Sequence, residues 1–129
     1  SPCHLIDILP SALAATGTPY PALRNGAPLP PAEGESLLPL FGGNLAWRRQ
    51  RPLCWEHEGN RAVRRGDWKL VCKYPGDWEL HDMATDRTEL HDLAAQRQDV
   101  VAELGAIYDA WATRCGVVPW EQIRPGRGG

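Results

Sequence analysis

Two copies of Glu-Leu-His-Asp, at Glu79–Asp82 and Glu89–Asp92, place two imidazoles and four carboxylates in one short stretch of chain. Imidazole and carboxylate together are a donor set for a divalent metal. The first copy alternates as a strand, whereas the second lies in a polar stretch ahead of a helix. Their ligands need not converge, and solvated side chains with a helix-entry turn account for the repeat. Cys54-x-x-His57 has finger-like spacing, with Cys3-His4 available to complete a site. In a strand, however, positions 54 and 57 point to opposite faces, which argues against zinc. Arg65-Gly66-Asp67 reads as a hairpin turn and requires no receptor. There is no phosphate-binding Gly-rich loop and no Gly-x-Ser-x-Gly. No metal site is assigned.

The four cysteines, Cys3, Cys54, Cys72 and Cys115, are far apart and form no C-x-x-C pair. Buried free thiols are expected, not a disulfide framework. With 129 residues the chain suits one modest core. Its 14 basic and 16 acidic residues give a net charge of -2. That balance supplies no electrostatic reason for a nucleic acid or a membrane surface as partner. No run of apolar residues is long enough for a transmembrane helix. The start, Ser1-Pro2-Cys3-His4, has no positive leader region and no initiator Met, and reads as a cut inside a longer protein.

Several elements must position these groups. Residues 4–17 predict a short helix, centred on about 7–16, with Asp7 as N-cap, Pro10 in the first turn and Gly17 as stop. Its Leu5, Ile6, Ile8, Leu9 and Leu13 are dense for so short a helix. Residues 18–33 are a Pro-rich, extended connector, and Glu35–Phe41 predicts another helical turn or two. From Arg51 the texture changes. Alternation predicts strands over 53–57, 61–64, 68–74 and 78–82, with turns at Gly66-Asp67 and Pro75-Gly76. Trp68, Leu70, Cys72 and Tyr74 share one face. Residues 96–114 predict a long helix whose stripe runs through Val100, Val101, Leu104, Tyr108, Trp111 and Cys115, with Gly116 as stop. The fold class is α+β: a four-stranded antiparallel sheet under a long C-terminal helix, preceded by a helical and extended segment. The tail, 124–129, has nothing to bury and is expected to be disordered.

Five stretches in order carry a resemblance. "PCHLIDILPSALAATGTPYP" (2–21) resembles the "P-G-H-hydrophobic-I-D-hydrophobic-x-P-T" helix found late in type I sulfatases, the arylsulfatase family. "GESLLPLF" (34–41) resembles the segment that follows it there. "WEHEGNRAVRRGDWKLV" (55–71) resembles a block of the bacterial arylsulfatase-like branch. "WELHDMATDRTELHDLAAQ" (78–96) is similar to the family's "W-x-L-Y-D-x-x-x-D-x-x-E-x-x-N-L-A" run, and "WATRCGVVPW" (111–120) to its closing "W-A-x-R-x-x-V-x-P-W".

The resemblance implies the C-terminal part of a sulfatase. Residues 1–50 would then be the trailing segment of the large α/β catalytic domain, and 51–123 the smaller C-terminal subdomain. The family hydrolyses sulfate esters with a formylglycine, made from Cys or Ser in Cys/Ser-x-Pro/Ala-x-Arg, and a calcium ion held by Asp and Asn oxygens. None of the four cysteines lies in that motif, and the chain has no Asp-Asn or Asp-Asp pair. Formylglycine and calcium are therefore expected in the longer protein only, and this chain is expected to be inactive alone. Its implied partners are the catalytic domain and that domain's sulfate-ester substrate, with the periplasm or the exterior as the longer protein's compartment. Clefts at domain junctions often hold substrate, which makes His57 and Asn60 candidates for touching the non-sulfate part of it. Residues 4–15, cut from their domain, are expected to mediate a homodimer. A related phosphonate or phosphodiester hydrolase, an autonomous sheet-plus-helix binding module and a small zinc protein stay open as alternatives.

Overall fold

The structure is a computed structural model, and it describes residues 1–123. The tail expected to be disordered, 124–129, lies outside the described residues. The chain divides into two compact units, Ser1–Arg51 and the part from Pro52 onward. Among the described residues no helix is long and apolar enough to cross a membrane.

The first unit opens with a one-turn 3-10 helix, Leu5–Asp7, that runs into α1, Ile8–Thr16. Asp7 does not cap α1 as expected, because its carboxylate is committed elsewhere. His4 is the cap: its ring accepts from the Ile6 amide, and Asp7 reaches back to the His4 amide at 2.8 Å. This reciprocal pairing satisfies two amide donors that a helix start leaves open. Gly17 ends α1 with φ 64°, the left-handed conformation that glycine adopts without strain. The Pro-rich connector is not uniformly extended. It contains a two-residue hairpin, β1 (Leu23–Arg24) with β2 (Ala27–Pro28). Its turn is Asn25-Gly26, both at positive φ, the signal that a run of prolines obscures. A single helical turn, α2 (Leu38–Phe41), follows.

A buried polar knot fastens the first unit. Asp7 is wholly buried and pairs with the guanidinium of Arg49, itself 8% exposed. The Asp7 carboxylate also accepts from the Glu35 amide at 2.9 Å. Ser11 donates to the Asp7 carbonyl at 2.7 Å and accepts from the Leu37 amide at 2.9 Å. Glu35 in turn accepts from the amides of Gln50 and Arg51. Charges removed from water are tolerated only when paired and hydrogen-bonded in this way.

The second unit is the expected meander: β3 (Leu53–His57), β4 (Asn60–Arg65), β5 (Trp68–Cys72) and β6 (Glu79–Asp82), antiparallel in that order. Two-residue turns join β3 to β4 and β4 to β5. Glu58 and Gly59 both sit at positive φ in the first, the geometry that matches the twist of paired strands. The helix α3 (Gln98–Cys115) lies over one face. Val63, Leu70 and Leu80, aligned across three strands, form one core with Val100, Leu104 and Tyr108 of α3. The face assignment of Trp68 and Leu70 toward the helix stripe therefore holds. A last turn of helix, α4 (Trp120–Ile123), was not expected from the sequence.

The cysteines depart from expectation. All four are free, but only Cys72 is buried; Cys54 is half-buried, and Cys3 and Cys115 are exposed. Cys115 continues the α3 stripe beyond the end of the core it would need to bury.

Candidate functional site

The chemistry-bearing residues of the sheet sort by strand parity. The register aligns Glu56 with Arg61 and Arg61 with Cys72, so these three form one row on the helix-facing side. His57 and Asn60 pair with each other one position along, on the other side. Cys54 and His57 likewise point apart, as the strand reading required.

Along the helix-facing row opens a cavity of about 320 Å³. Its floor is Glu56, Arg61 and Cys72; its walls are Tyr74, Pro75 and Gly76 on one side and Tyr108, Pro119 and Trp120 on the other. The Arg61 guanidinium lies 4.5 Å from the centre of the Trp78 ring and 5.8 Å from that of Tyr108. Stacking over a ring face holds a cation at low desolvation cost. One Arg61 nitrogen also reaches the Cys72 sulfur at 3.3 Å, and that thiol donates to the Gly76 carbonyl at 3.0 Å. Glu56 uses Oε1 to accept from the Gly59 amide at 2.8 Å, which braces the turn. Burial first, and the Glu56 charge second, push the Tyr108 phenol up to about 12, so it stays a neutral donor at physiological pH.

Gly59 is what lets the cavity close at the turn. A Cβ there would lie 2.7 Å from the Tyr74 ring and 3.1 Å from Trp120 Cβ, and φ is +82°. Gly59→Ala is expected to cost about 1–3 kcal/mol and to displace Tyr74. Chemical denaturation and the Tyr74 ring resonances report both, and an unchanged midpoint with unshifted resonances contradicts the packing.

The predicted candidates sit differently. His57 and Asn60 are exposed and do not line this cavity. The Asn60 amide is engaged at both ends: Nδ2 donates to the His57 carbonyl at 2.9 Å, and Oδ1 accepts from the Tyr74 amide at 3.1 Å. Asn60 thereby holds the hairpin turn to the loop after β5. The site that sequence reasoning missed is the row Glu56–Arg61–Cys72 with Tyr108 and Trp120. The signal available was a carboxylate and a guanidinium on strand positions of core parity.

The repeated Glu-Leu-His-Asp comes together as scaffold. His81 is 2% exposed, with Nδ1 at 3.1 Å from the His91 carbonyl. Asp86 accepts from the amides of Leu90 and His91, both at 2.8 Å, and Asp92 from those of Leu80 and Ala94. These amide donors hold both carboxyls below the usual range. The carboxylates order a turn and tie it to β6. Among the described residues no group of three His, Cys, Asp or Glu side chains is arranged to hold a metal ion.

No family model and no curated protein matches the chain. Solved structures do. One is a 6S-sulf protein from the metabolism of multiple glycosaminoglycans by Bacteroides thetaiotaomicron: TM-score 0.63, 22% identity, over 83% of this chain and 24% of that one. A second is Ps i-CgsB, solved with k-i-k-neocarrahexaose: TM-score 0.65, 19% identity, over 82% of this chain and 23% of that one. A third was solved with its substrate, D-glucosamine-2-N,6-O-disulfate: TM-score 0.55, 19% identity, over 95% of this chain and 25% of that one. The chain spans about a quarter of the length of each. Its α+β fold, with a four-stranded meander under a long helix, is the fold that these structures carry over that quarter.

Proposed function

We propose that the chain is the C-terminal part of a sulfuric ester hydrolase, which completes the fold of a larger catalytic domain. One observation carries this reading: more than four-fifths of the chain superposes on less than a third of proteins that include one whose substrate is a disulfated glucosamine. The chemistry belongs to the remainder of such a protein. Formylglycine and calcium do not fit the residues present, since no Cys or Ser lies in Cys/Ser-x-Pro/Ala-x-Arg and, among the described residues, no acidic cluster gathers hard oxygen ligands. No catalytic step is assigned to this chain. Its role toward substrate is binding: His57, exposed at the end of β3 and free to turn outward, would touch the non-sulfate part, while Asn60 fixes the turn that presents it.

Two experiments test this. The purified chain is expected to hydrolyse an aryl sulfate no faster than buffer, with or without calcium. Joined to the sequence encoded ahead of Ser1, it is expected to become active, and His57→Ala in that protein is expected to raise KM several-fold with kcat little changed. Turnover that copurifies with the chain alone refutes the reading, as does a joined protein lacking the formylglycine motif.

The first unit supports the same view. Leu5, Ile8 and Leu9 are between 50% and 76% exposed. With Ile6, Pro10 and Ala12 they line an open, almost wholly apolar groove. A contiguous apolar patch of this kind calls for a covering surface. The catalytic domain would supply it in the longer protein, and a second copy through residues 4–15 when the chain is alone. Light scattering is expected to show a dimer for the chain and a monomer for Leu5→Lys/Leu9→Lys. A monomer in both cases removes the dimer.

A further inference from the structure

The cavity over the Glu56–Arg61–Cys72 row has features that the proposed function leaves unused, and they define a ligand without reference to sulfate-ester chemistry. Its polar groups are of both kinds. Arg61 is fixed by Trp78 and by the Cys72 sulfur, and no carboxylate among the described residues lies within ion-pair distance of it. Its remaining N–H groups are donors without an assigned acceptor. Glu56, its cross-strand neighbour, has one oxygen on the Gly59 amide, which leaves the other as an acceptor. Tyr108 lines the same cavity, with its ring centre 5.8 Å from the Arg61 guanidinium. Around these stand flat apolar surfaces, the rings of Tyr74 and Trp120.

Charge narrows the ligand. Among the described residues the lining carries one cation, Arg61, and two anions, Glu56 and Glu121. A sulfate, phosphate or carboxylate facing Arg61 would also face Glu56, at a cost that rises as water is excluded. A simple cation would leave Arg61 opposed. A purely aromatic ligand would bury the remaining Arg61 N–H groups and the second Glu56 oxygen without partners, which is more costly than leaving the cavity wet. A ring with adjacent hydroxyls and no charge meets every demand. One hydroxyl accepts from Arg61, its neighbour donates to Glu56, and the C–H face lies on an aromatic ring, whose negative π-face attracts it. The volume, about 320 Å³, is at the small end of the range for small-molecule sites.

We propose that this cavity binds one uncharged saccharide ring, with Arg61 and Glu56 on adjacent hydroxyls and Trp120 or Tyr74 against its face. The site is separate from His57 and Asn60 and does not depend on the proposed hydrolase. The test is a nitrogen-15 NMR titration of the 129-residue chain with cellobiose, maltose and lactose, and in parallel with sulfated chondroitin disaccharide. At least one neutral sugar is expected to shift the Trp120 indole resonance saturably, with Kd of about 1–10 mM, and the sulfated sugar to bind about tenfold more weakly or not at all. Trp120→Ala and, as a variant that keeps the fold, Glu56→Gln are each expected to weaken binding about tenfold. No saturable shift with any neutral sugar overturns the proposal. So does equal or tighter binding of the sulfated sugar, or binding indifferent to Glu56→Gln.

Discussion

Asp7→Ala is expected to cost about 3–5 kcal/mol and to melt the first unit at room temperature, because it leaves the buried Arg49 guanidinium without its counter-charge. It also removes the acceptor for the His4 and Glu35 amides. Amide exchange of Glu35 and Leu37 should accelerate by orders of magnitude, while Val63 and Leu70 keep their protection in the sheet. Asp7→Asn retains an acceptor oxygen and should fall between. A change below about 1 kcal/mol for Asp7→Ala contradicts the burial of the pair. The same contact sets an acid limit. Burial alone would raise the Asp7 carboxyl, but the Arg49 bond and the two amide bonds outweigh it and hold the carboxyl below its ordinary 3.8. A lowered folded-state value means that the contribution is complete above the unfolded value and fades as pH drops through the folded one. First-unit exchange should therefore quicken below about pH 4, and Asp7→Asn should remove most of that dependence.

Gly34→Ala should be comparably severe for a different reason. Gly34 has no unusual φ to lose; the conflict is one of space. A Cβ would lie 2.2 Å from the Ile6 carbonyl oxygen and 2.9 Å from Asp7 Cα. Both are backbone atoms of the capped turn, so neither can rotate away as a side-chain tip could. The strand of chain at 34–37 must separate from the turn, which breaks the Glu35 bond to Asp7 and the Leu37 bond to Ser11. The expected loss is on the order of 3–5 kcal/mol, more than ordinary overpacking. Thermal unfolding followed by circular dichroism, beside Gly105→Ala as control, measures it. Gly105 has open space for a Cβ and lies within α3, so its alanine should be neutral or stabilising. Equal midpoints for the two variants refute the close approach.

Much of the second unit is legible because its information is local. Alternation in Leu53–His57 and Trp68–Cys72, two short turns and a single stripe on α3 determine the sheet, its faces and its cover. The first unit resisted reading for the opposite reason. Asp7 has the type and place of an N-cap, and nothing near it announces Arg49, 42 positions later. His4, an uncommon cap, took the role instead. The Asn25-Gly26 turn is obscured by five neighbouring prolines that favour extension, although Asn-Gly is a strong local signal for a two-residue loop with both residues at positive φ. The cavity was invisible for a geometric reason. Its walls come from the β3–β4 turn, the loop after β5, the end of α3 and α4, and only the strand register brings Glu56, Arg61 and Cys72 into one row. His57 and Asn60 drew attention by residue type, yet a period of two assigns them to the other side.

The contrast between the knot of the first unit and the ladder of the second extends to kinetics. The first rung of each hairpin, His57 with Asn60 and Arg65 with Trp68, closes a loop of two residues, so the meander can zip from its turns with little chain entropy lost ahead of each further bond. The Asp7–Arg49 clasp closes only when some forty residues of Pro-rich chain have already been drawn together. In a refolding experiment the sheet should gain exchange protection first and the clasp last.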